Sequence, residues 1–310
     1  MTTPSNSRPS VIVTAADLPP EAEALLHDFE VIYTGAQPDE DGLVALCKKV
    51  QPVAILVRYG KLSARVFDAC EALRVVAKFG VGIDNIDAKA AAARGIPVIA
   101  TPGVNADSVA EHTWGFILSF AKSLPALDAR MHAGHWDKST HKSMELKGRT
   151  LGIIGVGNTG SRVARIGIVI GMRVVGYDPY LSTFPPGVTS VSLDTLLRES
   201  DVVSLHCPLT SETRNIIDTN ALASMRQGAI LINAARGGLV DEPALVEALA
   251  RGHIRAAGVD SFPVEPPPPE HPLRGVPGVM MTPHVAGVSR EAYTNMGVAA
   301  ARNILAVINK

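Results

Sequence analysis

Only three of the 310 residues are cysteine, Cys47, Cys70 and Cys207. An odd number without C-x-x-C spacing excludes a disulfide framework and a cysteine-built zinc or redox centre, and the three read as buried thiols of a reducing compartment. An excess of charge of one sign is also missing: 29 Lys and Arg against 30 Asp and Glu leave a formal charge of -1. Neither nucleic acid nor an anionic membrane surface is therefore expected as a partner. No apolar run reaches the roughly 18 residues of a membrane-spanning helix, and the opening MTTPSNSRPS lacks the apolar stretch of a signal peptide. A cytoplasmic protein with a small-molecule partner is the expectation. What is present is 46% hydrophobic and 19% charged residues, the mixture of a packed globular chain, long enough for two domains at roughly 100 to 200 residues each.

Short Val- and Ile-rich runs alternate with helix-length amphipathic stretches: SVIVT at 10–14, EVIYT at 30–34, VAILV at 53–57, RVVAKF at 74–79 and IPVIA at 96–100. Continuous apolar strands separated by helices mark parallel sheets buried on both faces. A long apolar stretch from Ala106 to Leu124 reads as a buried helix joining two domains. A second series follows, with TLGIIG at 150–155, RVVGYD at 173–178, DVVSLH at 201–206, AILIN at 229–233, AAGVD at 256–260 and VMMTP at 279–283. These six strands predict a doubly wound dinucleotide-binding sheet. The helical end SREAYTNMGVAAARNILAVINK returns to the first domain in this reading. The expected division is a substrate domain of residues 1–103 and 288–310 and a nucleotide domain of residues 104–287.

The strand TLGII runs into Gly155-x-Gly157-x-x-Gly160 and then a helix. The first glycine permits the tight turn, the second lets backbone amides approach a pyrophosphate, and the third lets helix and strand pack closely. The next strand ends at Asp178, about 20 residues on, where a carboxylate accepts hydrogen bonds from the adenosine ribose hydroxyls and repels a 2′-phosphate. Pro179, Tyr180, Leu181 and Ser182 supply no cation for that phosphate, so NAD is expected rather than NADP.

Arg236, Glu265 and His284 each follow a predicted strand of this sheet, at the edge where open α/β sheets bind ligands. Together they provide the parts for reducing a 2-keto acid. Arg236 offers a planar fork for carboxylate and carbonyl oxygens, His284 donates a proton to the developing alkoxide, and Glu265 holds the imidazole. No metal is required. His112, His132, His135 and His141 are too irregularly spaced for a ligand set and read as surface or interface histidines.

The stretches VVAKFGVGIDNID, TPGVNADSVAEHT, LKGRTLGIIGVGNTG, LHCPLTSETRNII, INAARGGLVDEPAL, GVDSFPVEPP and TPHVAG resemble, in order, the D-isomer-specific 2-hydroxyacid dehydrogenase family, which includes 3-phosphoglycerate dehydrogenases and glyoxylate and hydroxypyruvate reductases. The resemblance implies a Rossmann NAD-binding domain inserted in a flavodoxin-like substrate domain, and a catalytic Arg236, Glu265 and His284. It further implies that Asp260 contacts the nicotinamide carboxamide, that Cys207 and Pro208 pack on the adenosine, and that Ala234 and Arg236 lie in the turn under the nicotinamide. Ser108 would touch the cofactor phosphates. The backbone of Val81 and Gly82 would hold the substrate carboxylate, with Arg58 facing the substrate nearby. Arg58 and Lys78 are the candidate cations for a second anionic group, as in a phosphorylated or sulfonated substrate. A homodimer built on the NAD-binding domain through the 107–124 helix is implied as well.

The chain departs from the family at Asn158-Thr159, where relatives often carry Arg-Ile, which puts one side-chain contact to the pyrophosphate in doubt. It ends soon after its last helix, whereas some phosphoglycerate dehydrogenases continue into regulatory domains. The rival reading is an NAD-sensing corepressor on the same fold, which would bind NAD without turnover.

Overall fold

The computed structural model describes residues 8–36 and 38–310, so most of the polar opening segment lies outside the described residues. The chain divides into two compact units, Met1–Asn105 with Val288–Lys310, and Ala106–Gly287.

The first unit contains β1 (Ser10–Val13), α1 (Pro20–Leu25), β2 (Glu30–Tyr33), α2 (Glu40–Val50), β3 (Ala54–Val57), α3 (Ala64–Asp68), β4 (Val75–Lys78), α4 (Ala88–Ala93) and β5 (Val98–Ile99). Its sheet is parallel, in the order β2-β1-β3-β4-β5, the flavodoxin-like arrangement. Alternate residues explain why the strands read as continuous apolar runs. Val11, Val13, Ala54, Leu56, Val75 and Ala77 face one layer with Ala22, Leu26, Met296, Ala300 and Ile304. Ile12, Ile55, Val57 and Val76 face the other with Leu43, Val66, Phe67 and Ala91.

The second unit contains thirteen α-helices and strands, with ends set by local signals. They are α5 (Ala106–Lys122), α6 (Leu124–His132), β6 (Thr150–Ile154), α7 (Asn158–Ile170), β7 (Arg173–Tyr177), β8 (Val188–Ser190), α8 (Leu193–Glu199), β9 (Val202–Leu205), α9 (Thr219–Ser224), β10 (Ala229–Asn233), α10 (Glu242–Ala250), β11 (Ile254–Val259) and β12 (Val279–Met281). Gly171 in the left-handed region ends α7, and Ser192, Asp218 and Asp241 cap α8, α9 and α10. The parallel sheet runs β12-β11-β10-β9-β6-β7-β8, with the order reversing at β6. It has seven strands where six are expected from sequence. The extra one, β8, is a short edge strand whose residues are exposed or half-buried, so no apolar run announces it.

The expected 106–124 helix is α5, broken after Lys122 by Ser123 at φ 56. Trp114 donates its indole N–H to the Val163 carbonyl at 3.1 Å, and Phe116 lies over Gly258, where a Cβ would sit 2.7 Å from the ring. These contacts bind α5 to α7 and β11 within the second unit.

In the first unit the last helix, α11 (Arg290–Ile308), is capped by Ser289 and packs on α1 and β4. A Cβ at Gly297 would lie 2.8 Å from two ring carbons of Pro19. Gly297→Val should therefore overpack the α1–α11 seam by about 1–3 kcal/mol, read as a lower thermal midpoint; an unchanged midpoint would mean that the seam yields without cost.

Candidate active site

The glycine loop leaves β6 at the strand-order reversal. Gly155 has φ +88, and a Cβ there would meet the Cys207 nitrogen at 2.5 Å, so the end of β9 passes too close for any side chain. A Cβ at Gly160 would lie 2.1 Å from the Gly155 carbonyl oxygen, which explains the third glycine. A Cβ at Gly157 would meet nothing within 4 Å. Gly157 thus opens onto free space at the start of α7, where Asn158 and Thr159 are the first two helical residues and their N–H groups lack intrahelical partners. A dinucleotide pyrophosphate fits this arrangement.

Asp178, just past β7, turns back onto the loop. Its Oδ2 accepts the Val156 N–H at 3.0 Å and its Oδ1 the Tyr180 N–H at 3.1 Å, which fixes the carboxylate beside Gly155 and Gly157 with lone pairs to spare. Past β9, Pro208 is exposed and Cys207 half-buried. Burial, with the nearby Asp178 charge, pushes the Cys207 thiol up to about 11, so it packs as a neutral group. Burial also pushes His206 down to about 4; the neutral ring pairs with the Ser204 hydroxyl at 2.8 Å.

His284 and Glu265 meet. His284 Nδ1 lies 2.7 Å from Glu265 Oε2, and Glu265 Oε1 accepts the Phe262 N–H at 2.9 Å. A carboxylate only accepts, so Nδ1 carries its proton and Nε2 is left for exchange. Burial pushes the Glu265 carboxyl up, but the His284 and Phe262 hydrogen bonds, with the charges of His284 and Arg236, outweigh it and hold the group below its ordinary value. Arg236, half-buried after β10, donates from Nη1 to the Ala235 carbonyl at 2.7 Å. The turn of Ala234 and Arg236 is shaped by Asn233, which donates to the Arg236 carbonyl and accepts the Ala235 N–H.

Asp260 and Ser108 both reach the segment that bears His284. Asp260 is buried; its Oδ1 accepts the Thr282 hydroxyl at 2.5 Å and the Val285 N–H at 2.9 Å, and its Oδ2 the Ala286 N–H at 2.9 Å. Ser108 Oγ donates to the Ala286 carbonyl at 2.7 Å. His112, expected as a surface or interface histidine, is instead three-quarters buried, with Nε2 3.0 Å from the Thr282 hydroxyl. Its spacing from the other histidines carried no information about this partner 170 residues away. Asn233, Thr282, Glu242 and His271 are further residues around the site that sequence reading missed, because buried polar groups look like ordinary loop or helix residues until the fold gives them partners.

In the first unit, Thr101 holds the Gly80 carbonyl through its N–H and its hydroxyl, both at 2.9 Å, while Val81 is exposed and Gly82 half-exposed. The Arg58 guanidinium stands 4.6 Å from the Tyr293 ring centroid, 4.8 Å from Phe79 and 5.2 Å from Tyr59. Its Nη1 is buried without a hydrogen-bond partner among the described residues. Lys78 is bound to Asn85 Oδ1 at 2.9 Å. Among the described residues no group of three or more His, Cys, Asp or Glu is arranged to hold a metal, and no helix is long and apolar enough to cross a membrane.

Comparison with known proteins identifies the family. The family described as D-isomer specific 2-hydroxyacid dehydrogenase, NAD binding domain, matches residues 114–286. A hydroxypyruvate reductase of Thermotoga maritima is 38% identical over 278 residues, covering 89% of this chain and 90% of that protein. A D-3-phosphoglycerate dehydrogenase of Archaeoglobus fulgidus is 41% identical over 256 residues, covering 81% of this chain but 49% of that protein; the chain spans about half the length of such relatives. The crystal structure of D-lactate dehydrogenase from Aquifex aeolicus, complexed with NAD and lactic acid, superposes with a TM-score of 0.84 at 31% identity, covering 97% of this chain and 96% of that one. The chain belongs to the D-isomer-specific 2-hydroxyacid dehydrogenase family, and its second unit carries that family's NAD-binding domain.

The neutral His206 gives this domain a pH signature. Its native pKa lies below the unfolded value of about 6.5, so its contribution to stability is complete above pH ~6.5 and is lost as pH falls toward 4. The thermal midpoint should drop across that interval, and His206→Asn should flatten the drop; an identical slope in the variant would count against a neutral His206.

Proposed function

We propose that the protein is a cytoplasmic NAD-dependent 2-hydroxyacid dehydrogenase that reduces a small 2-keto acid, of the hydroxypyruvate, glyoxylate or 3-phosphohydroxypyruvate kind. The carrying observation is the 2.7 Å His284–Glu265 pair beside Arg236. NADH, when bound, supplies a hydride for C2 of the keto acid. His284 donates the Nε2 proton to the oxygen on C2 as charge develops there, and Glu265 keeps the ring oriented and stabilises its cationic form. Arg236 holds the carboxylate and carbonyl oxygens with its planar fork. In the first unit, the exposed Val81 and half-exposed Gly82 offer backbone amides as a nest suited to an anionic group.

The cofactor is assigned to Gly155, Gly157 and Gly160, the N–H groups of Asn158 and Thr159, Asp178, and the Cys207, Pro208 and Ala234 segments; Ser108 and Asp260 act on the same region through the backbone of 285–286. Free Cys47, Cys70 and Cys207 suit a reducing compartment. The exposed Leu118, Leu124, Met131 and Trp136 support a homodimer through α5 and the residues after it, checked by light scattering; a monomer at micromolar concentration would remove that assignment.

The decisive assay is NADH oxidation with glyoxylate, hydroxypyruvate, 3-phosphohydroxypyruvate and pyruvate, each repeated with NADPH. Turnover of at least one with NADH preferred is expected, and Asp178→Ser should narrow that preference; silence across the panel with NADH bound would sink the reading. His284→Ala should lower kcat by about two orders of magnitude while the NADH Kd stays near the parent value. Unchanged turnover would remove His284 from the proton step.

A further inference from the structure

Glu265 sits in a segment between β11 and β12 that contains four consecutive prolines, Pro266 to Pro269. Prolines donate no backbone hydrogen bond, so this segment needs other anchors. One of them is a buried imidazole–carboxyl pair outside the reacting groups: His271 Nε2 lies 3.0 Å from Glu242 Oε2, with side chains only 6% and 10% exposed, and His271 Nδ1 accepts the Leu273 N–H at 3.4 Å. Glu242 opens α10, just after the turn that bears Arg236. His271 is itself fixed in the loop, its N–H donating to the Pro268 carbonyl at 3.1 Å and its carbonyl accepting the Arg274 N–H at 2.9 Å. Its ring meets Phe262 edge-on at 5.3 Å, and Phe262 is the residue whose N–H donates to Glu265 Oε1. A Cβ at Gly237, next to Arg236, would lie 2.1 Å from the Phe262 carbonyl carbon, so the turn and the loop are fitted together at this same residue.

We propose that Glu242 and His271 are positioning residues for the reaction: the pair clamps Phe262 against the Arg236 turn, and through the Phe262 amide it sets the carboxylate that orients His284. This rests on the assignment of Glu265 as the partner of a catalytic His284. A buried polar pair is a poor device for stability, since replacing both partners by apolar groups of similar shape can be nearly neutral. Its directional hold on a proline-rich loop is what an apolar pair would not reproduce.

The test is a comparison of Glu242→Leu/His271→Leu with the parent, in the wild-type and in the Glu265→Gln backgrounds, reading kcat for the best keto acid, the NADH Kd and the thermal midpoint. The expected result is a folded protein with kcat about tenfold lower and NADH Kd within about twofold. In the Glu265→Gln background the same change should cost less than about twofold, because residues acting through one group are not additive. An unchanged kcat, a loss of NADH binding as large as the loss of kcat, or the same factor in both backgrounds would overturn the proposal. If the double variant does not fold, Glu242→Met, which removes the acceptor for His271 and leaves its ring against Phe262, carries the same comparison with the same criteria. A Glu265→Gln protein with full kcat would instead overturn the assignment beneath it.

Discussion

A buried carboxylate holds the loop on which the proposed chemistry depends. Asp260 follows β11 with no exposure to solvent, where a charge without partners would be severely penalised. It gathers the Thr282 hydroxyl and the Val285 and Ala286 N–H groups, so the residues on either side of His284 are tied to one point. His284 itself has φ 54, a conformation that costs a non-glycine residue on the order of 1–3 kcal/mol. The anchors at Thr282, Val285 and Ala286, with Ser108 on the Ala286 carbonyl, over-determine the segment and keep the ring in that place. The strain is local, and the structure that sustains it comes from β11, β12 and α5 together.

The cofactor side follows from a different constraint, the closeness of backbone to backbone at the strand-order reversal. The end of β9 runs over Gly155, and the Gly155 carbonyl runs under Gly160, so the loop has one shape available and Gly157 faces open space. Asp178 then locks to the Val156 N–H, tying the acid on β7 to the glycine loop on β6. At the proposed cofactor site this carboxylate is oriented in advance, which lowers the conformational freedom to be lost on binding.

Most of this was legible from local pattern. The strands of both sheets read as apolar runs because each is covered on two faces, and β8 escaped because Val188–Ser190 is an edge strand without such a run. The helix break at Ser123 escaped for a related reason: a serine at φ 56 leaves no composition signal of the kind a glycine or proline would. Arg236, Glu265 and His284 stood out as candidates because each follows a strand, and the structure brings the three near one another. Asp260 was legible as a residue of interest, but its attachment to Val285 and Ala286 required the fold. The same holds for His112 with Thr282, for Asn233 beneath Arg236, and for Glu242 with His271. These groups have meaning only through partners brought near by the parallel crossovers, and the sequence distance between them carries no period.

The first unit adds a cation prepared in advance. Arg58 is boxed by Tyr59, Phe79 and Tyr293, which fix the guanidinium plane and offset part of its desolvation through the ring faces. They supply no acceptor, however, and Nη1 stays buried without one among the described residues, a deficit that a hydrogen bond to a charged group would relieve by about 1.5–3 kcal/mol. Lys78, the other candidate cation, is already bound to Asn85 and to the Arg58 carbonyl and so serves to hold the Arg58 backbone. A guanidinium held between three rings, with one nitrogen in want of an acceptor, is a group prepared to meet an anion, which is the physical ground on which the proposed role of Arg58 rests.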